Sequence, residues 1–241
     1  MTCTVLQKMQ SLPVEGLPPR VLPLGLELTE LAEAFWAKVG WGGNTCPLPA
    51  WMHPREVEEL LWWATRGEPD GNIIEIGQGW GGSTFALAKA NEWYCGRHCR
   101  HDHLWSFDPY PGEWPCDTFR QSQVFRAIHG IDCAHTILGT SDLVCEVCGP
   151  GSVRLALIDG EHDTEWARRD MDNILPAMAL GGIILLHDVW NSGDTPLDWM
   201  HNDDALPDGG PSLIYKEAAA GRFSGVEAVG RVLTLGILKC V

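Results

Sequence analysis

The sequence predicts an α/β domain of Rossmann-like architecture, with a mostly parallel seven-stranded sheet, helices on both faces and a C-terminal antiparallel hairpin. Three observations lead there. Ile73 to Ala88 reads as a buried strand, a glycine-rich turn and the opening of an apolar-periodic helix. Further short apolar runs end on Asp108, Asp159 and Asp188 and alternate with helical segments, the pattern of a parallel sheet. The tail from Gly225 to Lys239 has two apolar runs around Gly230-Arg231, which suits a closing hairpin.

Residues 1–50 are expected to form an N-terminal extension ahead of a catalytic domain over residues 51–241. The Pro- and Leu-rich start has no clear period and would wrap over the domain or over a second copy, making a homo-oligomer plausible. Leu28, Leu31, Ala32, Phe35, Trp36 and Val39 have helical spacing, and after a Gly/Pro loop so do Val57, Leu60, Leu61 and Ala64 in the segment from His53 to Thr65. The first strand and its turn follow. Leu104 to Asp108 is the second strand, Thr118 to His129 a helix, and Ala134 to Leu138 a third strand before the small-residue turn Gly139-Thr140-Ser141. Leu155 to Asp159 is the fourth strand, apolar enough to be central. A helix over Asp170 to Ala179, stopped by Gly181-Gly182, leads to a fifth strand from Ile183 to Asp188. Asn191 to Pro211, rich in Asp, Gly and Pro, reads as a lid.

Composition narrows the function. The 241 residues suit one α/β domain with a sizeable core. A net charge of -15 argues against a nucleic-acid partner, because such affinity is carried by Lys and Arg. No apolar run reaches the roughly 18 residues of a membrane span, and Met1 to Pro13 lacks the basic start and apolar core of a signal peptide. A soluble, cytoplasmic protein without a membrane partner is expected. The nine cysteines are an odd count in a chain too large to need disulfides, so reduced thiols are expected. Cys95, His98, Cys99, His101 and His103, with Cys145 and Cys148 further on, are zinc-ligand types, but their spacing fits no common zinc finger. Among twelve tryptophans, Trp80, Trp114, Trp190 and Trp199 fall in or near loops where they could line a ring-stacking pocket or pack the insertions.

Glycines 77, 79 and 82 have the G-x-G-x-x-G spacing, which fits NAD, FAD or another adenosine-containing ligand. Glu75, two residues earlier, favours a cationic ligand over a pyrophosphate. An acid in the place of Asp108 can accept both ribose hydroxyls. Candidate cofactor contacts are therefore Glu75, Gly77, Gly79, Gly81, Gly82, Ser83, Asp108, Ser141 and Asp159. Asp159 and Asp188 end neighbouring strands and would set two carboxylates side by side, an arrangement that suits a divalent ion such as magnesium. His187 could add a nitrogen, which manganese, iron or zinc would tolerate better than magnesium. His162, three residues after Asp159, could deprotonate a substrate hydroxyl.

Taken together, Glu75 to Ala88, Ser106-Phe107-Asp108, Ile158-Asp159-Gly160-Glu161-His162, Asp170 with Leu175-Pro176, Gly181-Gly182 and His187-Asp188 resemble the class I S-adenosylmethionine methyltransferases. The similarity is to the branch with macrolide sugar O-methyltransferases and cephalosporin-hydroxylase-like proteins, and it covers about residues 52 to 240. The resemblance implies S-adenosylmethionine over the first two strand ends and often a magnesium ion beside its methyl group. By the same resemblance Asp159 and the pair His187-Asp188 would hold the ion, although His187 stands where a carboxylate is usual. His162 would be the general base, and the acceptor a small-molecule hydroxyl. Two other readings compete: a nicotinamide-dependent oxidoreductase, and a catalytically silent member of the fold acting as a binding module.

Overall fold

In the computed structural model the residues described are 52, 54–66, 69–79, 81–98, 102–109, 134–191 and 209–241. The expected N-terminal extension, the helix from Thr118 to His129, most of the lid and the side chains of Trp80, Trp114 and Trp199 lie outside them.

The strands are β1 (Asn72–Ile76), β2 (Leu104–Asp108), β3 (Ala134–Leu138), β4 (Val153–Ile158), β5 (Met178–Leu186), β6 (Val226–Val232) and β7 (Leu235–Cys240). They form one sheet in the order β3-β2-β1-β4-β5-β7-β6. β1 to β5 pair in parallel, while β7 runs antiparallel to both β5 and β6. The chain builds outward from β1 in one direction and then restarts at β4 in the other. The C-terminal ends of β1 and β4 therefore flank the switch point where α/β sheets bind ligands.

Every residue of β4 is buried, as expected of a central parallel strand. One face of the sheet carries α1 (Pro54–Ala64) and α2 (Gly82–His98), packed through Leu60, Leu61, Leu87 and Ala90 onto Ile73, Leu155 and Leu157. The other face carries α3 (Val144–Val147), α4 (Thr164–Ile174) and α5 (Gly210–Ala219), packed through Val144, Met171, Ile174 and Ile214 onto Ile74, Ala156 and Ile184. Full burial of one such Leu or Ile contributes about 1.5–3 kcal/mol, so two filled faces around a central strand fix the register firmly. No helix among the described residues is long and apolar enough to cross a membrane.

Three boundaries differ from expectation, the first at the hairpin, whose turn falls at Leu233-Thr234 with Gly230-Arg231 inside β6. The helix expected over 170–179 lies at Thr164–Ile174, because the Asp163 side chain caps it by accepting the Trp166 N–H, and Pro176 sits in a separate 3-10 turn. The glycine pair expected to stop it lies inside β5. Val153 pairs with Met178 but Leu155 with Ile183, so residues 179–182 bulge outward with Gly181 at φ +83. α5 has no counterpart in the sequence reading.

Candidate active site

The glycine turn is built on a buried acid. Glu75 lies wholly inside, and its carboxylate accepts hydrogen bonds from Ser83 Oγ (2.6 Å), Thr84 Oγ1 (2.6 Å) and Ser106 Oγ (2.5 Å). Burial outweighs these donors and pushes its pKa up to about 7. Glu75 and Ser83 thus face each other beneath the turn, tying α2 to β1 and β2. Their polar groups are engaged there, so they support the glycine turn from below.

Gly77 sits where no side chain fits: its φ is +89, and a Cβ would lie 2.0 Å from the Asp159 carbonyl oxygen. Asp159 N–H in turn donates to the Ile76 carbonyl at 2.8 Å. β1 and β4 therefore touch at their tips, and the glycine turn borders the acid of β4. Asp108 Oδ2 accepts the N–H groups of Gln78 (3.1 Å) and Gly79 (2.9 Å), and Gln78 Nε2 donates to Thr136 Oγ1 at 3.2 Å. Among the described residues, a Cβ on Gly79 would meet nothing within 4 Å. Gly81 closes the turn by donating to Gln78 O, and Gly82 begins α2. The loop and Asp108 are thus brought together at the edge where a ribose would lie.

Ser141 is placed differently. It is fully buried, donates to Asp170 Oδ1 at 2.6 Å and accepts from Asn173 Nδ2 at 2.9 Å. Its hydroxyl joins the β3–α3 turn to α4. The hydroxyl expected to meet the cofactor is thus engaged in the interior, since a buried serine bonds the nearest buried acid.

Beyond β4 and β5 lies a group of charges. Asp159, His162 and Asp188 each offer one ligand atom, and these atoms lie within 4.8 Å of one another. His162 Nε2 is 3.1 Å from Asp188 Oδ2, with 32% of the His162 side chain exposed. His187 is buried beneath, its Nδ1 2.9 Å from Asp159 Oδ1 and 3.1 Å from Asp188 Oδ2. Of the three expected metal ligands, Asp159 and Asp188 converge, while His187 lies below as a bridge and His162 joins the outer set. Asp188 adopts φ +56, uncommon for a non-glycine residue, and this turns its carboxylate toward both histidines.

The charges hold one another in place. Burial opposes protonation of His187, but the negative charges of Asp159 and Asp188 outweigh it and hold its pKa well above the ordinary histidine range. Burial would raise Asp188; the facing histidines bring it below the usual carboxylate range. The hydrogen bond to Asp188 raises His162. Asp188 Oδ1 is buried with no hydrogen-bond partner among the described residues. An unsatisfied carboxylate oxygen beside a second carboxylate and an imidazole nitrogen is a donor set that fits a divalent ion, its nitrogen suiting manganese better than magnesium.

Several supporting residues went unread in the sequence. Glu56 is buried on α1, where Oε1 accepts from Thr234 N (2.7 Å) and Thr234 Oγ1 (2.6 Å) and Oε2 lies 3.5 Å from His187 Nε2. Ser212 on α5 accepts the Trp190 N–H, and Thr164 accepts the Gly210 N–H, so the first turn of α5 braces both loops of the site. Trp190 itself is buried rather than lining an open pocket. The only signal available for Glu56 was an acid next to Val57 on the apolar face of a helix. Of the soft-ligand cluster, Cys99, His101 and the side chain of His98 lie outside the described residues; Cys95 hydrogen-bonds Asn91 Oδ1 and Asp102 O, His103 contacts His135, and Cys145 and Cys148 are free thiols.

A seven-stranded sheet of this order with a reversed last strand, and a glycine turn at its switch point, defines the fold of class I methyltransferases. A family model described as "Methyltransferase domain" matches residues 74–189, from the heart of β1 to the residue after Asp188. Solved structures share the fold at low identity. A Corynebacterium glutamicum protein is 15% identical with a TM-score of 0.60, covering 100% of this chain and 97% of that one. An SAH-bound methyltransferase from Podospora anserina is 15% identical with a TM-score of 0.59, covering 100% and 95%. A Staphylococcus aureus protein provisionally assigned as a caffeoyl-CoA O-methyltransferase is 12% identical with a TM-score of 0.60, covering 88% and 92%. No curated protein matches the sequence. The chain has the fold of the class I methyltransferases, and its segment 74–189 is similar to that methyltransferase domain.

Proposed function

We propose that the protein is a metal-assisted O-methyltransferase acting on a hydroxyl of a small molecule such as a sugar, a natural product or a phenol. The observation that carries this reading is the convergence of Asp159, His162 and Asp188 beside the glycine turn. Bound S-adenosylmethionine supplies the methyl group, and a divalent ion, magnesium or manganese, supplies positive charge that eases loss of the acceptor's proton. The loop from Gly77 to Gly81 and Asp108 hold the adenosine end. Asp159 and Asp188 hold the ion, with His187 fixing both carboxylates from below. His162, the most exposed of the group, receives the hydroxyl proton as the oxygen bonds the methyl carbon and the carbon–sulfur bond breaks, with S-adenosylhomocysteine as the leaving group. The net charge of -15 favours a small acceptor over a nucleic acid.

The test is methyl transfer from labelled S-adenosylmethionine over a panel of sugar, phenol and natural-product alcohols, with manganese, magnesium or chelator. Turnover that needs the ion and is absent in Asp159→Ala supports the reading; equal turnover in chelator, or in Asp159→Ala, overturns it. His162→Ala separates proton transfer from ion binding. A base there loses turnover and keeps manganese binding, whereas a ligand there loses both.

A further inference from the structure

We propose that Glu56 is a positioning residue of the reaction centre, which through His187 Nε2 fixes the imidazole that bridges Asp159 and Asp188. The inference rests on the reading of those two carboxylates as the centre.

On the inner face of α1, Val57, Leu60, Leu61 and Ala64 are all core residues, and Glu56 is only 1% exposed among them. An apolar side chain is the default at such a position, because a carboxylate taken out of water costs several kcal/mol unless it is paired. Thr234, in the β6–β7 turn, supplies one side of the pairing by donating both its N–H and its hydroxyl to Oε1. Glu56 Oε2 lies 3.5 Å from His187 Nε2. Nε2 is buried without a hydrogen bond at this separation, and a shift of a few tenths of an ångström would make one.

The same turn holds the next segment of the site. Thr234 O accepts the N–H of Val189, and Arg231 Nη1 donates to Val189 O. One hairpin turn thus fixes both the acid behind His187 and the backbone just after Asp188. A carboxylate on the far nitrogen is the usual means of orienting a histidine whose near nitrogen faces a reactive centre.

The experiment uses the full chain labelled with nitrogen-15 histidine. The ring signals of His187 are assigned by their loss in His187→Asn and are followed in metal-free protein. Manganese and S-adenosylmethionine binding are measured separately by calorimetry. Glu56→Gln is expected to shift the His187 ring signals and to weaken manganese binding about 10- to 100-fold, leaving S-adenosylmethionine affinity within about twofold. Glu56→Asp keeps the charge but draws it back by one methylene; it shifts the same signals less and carries the test should Glu56→Gln not fold. A role confined to helix packing would lower the melting temperature and leave the His187 signals in place, and that result overturns the proposal. Failure of the wild-type protein to bind manganese would instead remove the metal from the proposed function, while the ring signals would still decide the role of Glu56.

Discussion

The two sides of the switch point are built by different physics. On the β1–β2 side, backbone amides presented by a tight glycine turn donate to Asp108, and the buried acid Glu75 is enclosed by three hydroxyls. On the β4–β5 side the groups are charged side chains held by other charged side chains, Asp159, Asp188, His162 and His187, with Glu56 behind. The first side joins β1, the start of α2 and β2; the second gathers residues from α1, the ends of β4 and β5, and the last hairpin. A site of the first kind fails when backbone geometry is disturbed, and one of the second kind fails when a charge is removed.

Gly77→Ala should break the comparison most severely, because it forces a Cβ against the β4 backbone at a positive φ. It is expected to cost several kcal/mol, on the order of the strain at a disallowed position plus the clash, and to abolish both halves together. Gly79→Ala, at φ +48 with no described atom within 4 Å of the added Cβ, should cost about 1 kcal/mol by urea denaturation. Equal costs for the two would remove the β1–β4 contact as the hinge of the site.

Next in size is the loss of one buried charge. Asp188→Ala leaves His187 with one carboxylate fewer and is expected to destabilise the fold by about 3–5 kcal/mol. A melting temperature unchanged from wild type would show that the charges are not coupled.

A pH effect of similar origin sharpens the contrast. Glu75 binds its proton more tightly folded (about 7) than at its ordinary value of 4.5, so the native state holds the extra proton between those values and stability falls as pH rises through that window. The shift corresponds to at most about 3 kcal/mol. His187, raised above the ordinary histidine range, acts in the same direction: its contribution is present below about 6.5 and is lost as pH climbs through its higher folded value. Urea midpoints measured from pH 5.5 to 9 should decline, and Glu75→Gln should flatten the lower part of that decline. A midpoint that rises with pH would contradict both assignments.

The smallest expected effect on the fold is that of Asp108→Ala. It releases two loop amides and should cost about 1 kcal/mol of stability while weakening S-adenosylmethionine binding tenfold or more. An unaltered dissociation constant would take Asp108 out of the ribose site.

The contrast also explains what could be read from the chain. The glycine turn, Asp108, Asp159 and Asp188 were legible because each sits within a few residues of a strand end, where period and motif speak together. The hairpin was legible from its two apolar runs. The start of α4 was not, since its cap, Asp163, lies in an acidic and polar stretch that has no apolar period. α5 was missed because it opens on Gly210-Pro211, which reads as loop. Ser141 lies in the small-residue turn after β3, and the acid that engages its hydroxyl, Asp170, comes 29 residues later. Glu56 and Thr234, 178 residues apart, meet only through the hairpin turn, and no spacing rule reaches that far.

The separability of the two halves is the central claim, and calorimetry on the metal-stripped protein tests it most directly. S-adenosylmethionine should bind wild type and Asp159→Ala with dissociation constants within about threefold, while the manganese heat seen with wild type should vanish in Asp159→Ala. Manganese binding that survives in the variant, or S-adenosylmethionine binding lost along with it, would contradict the account.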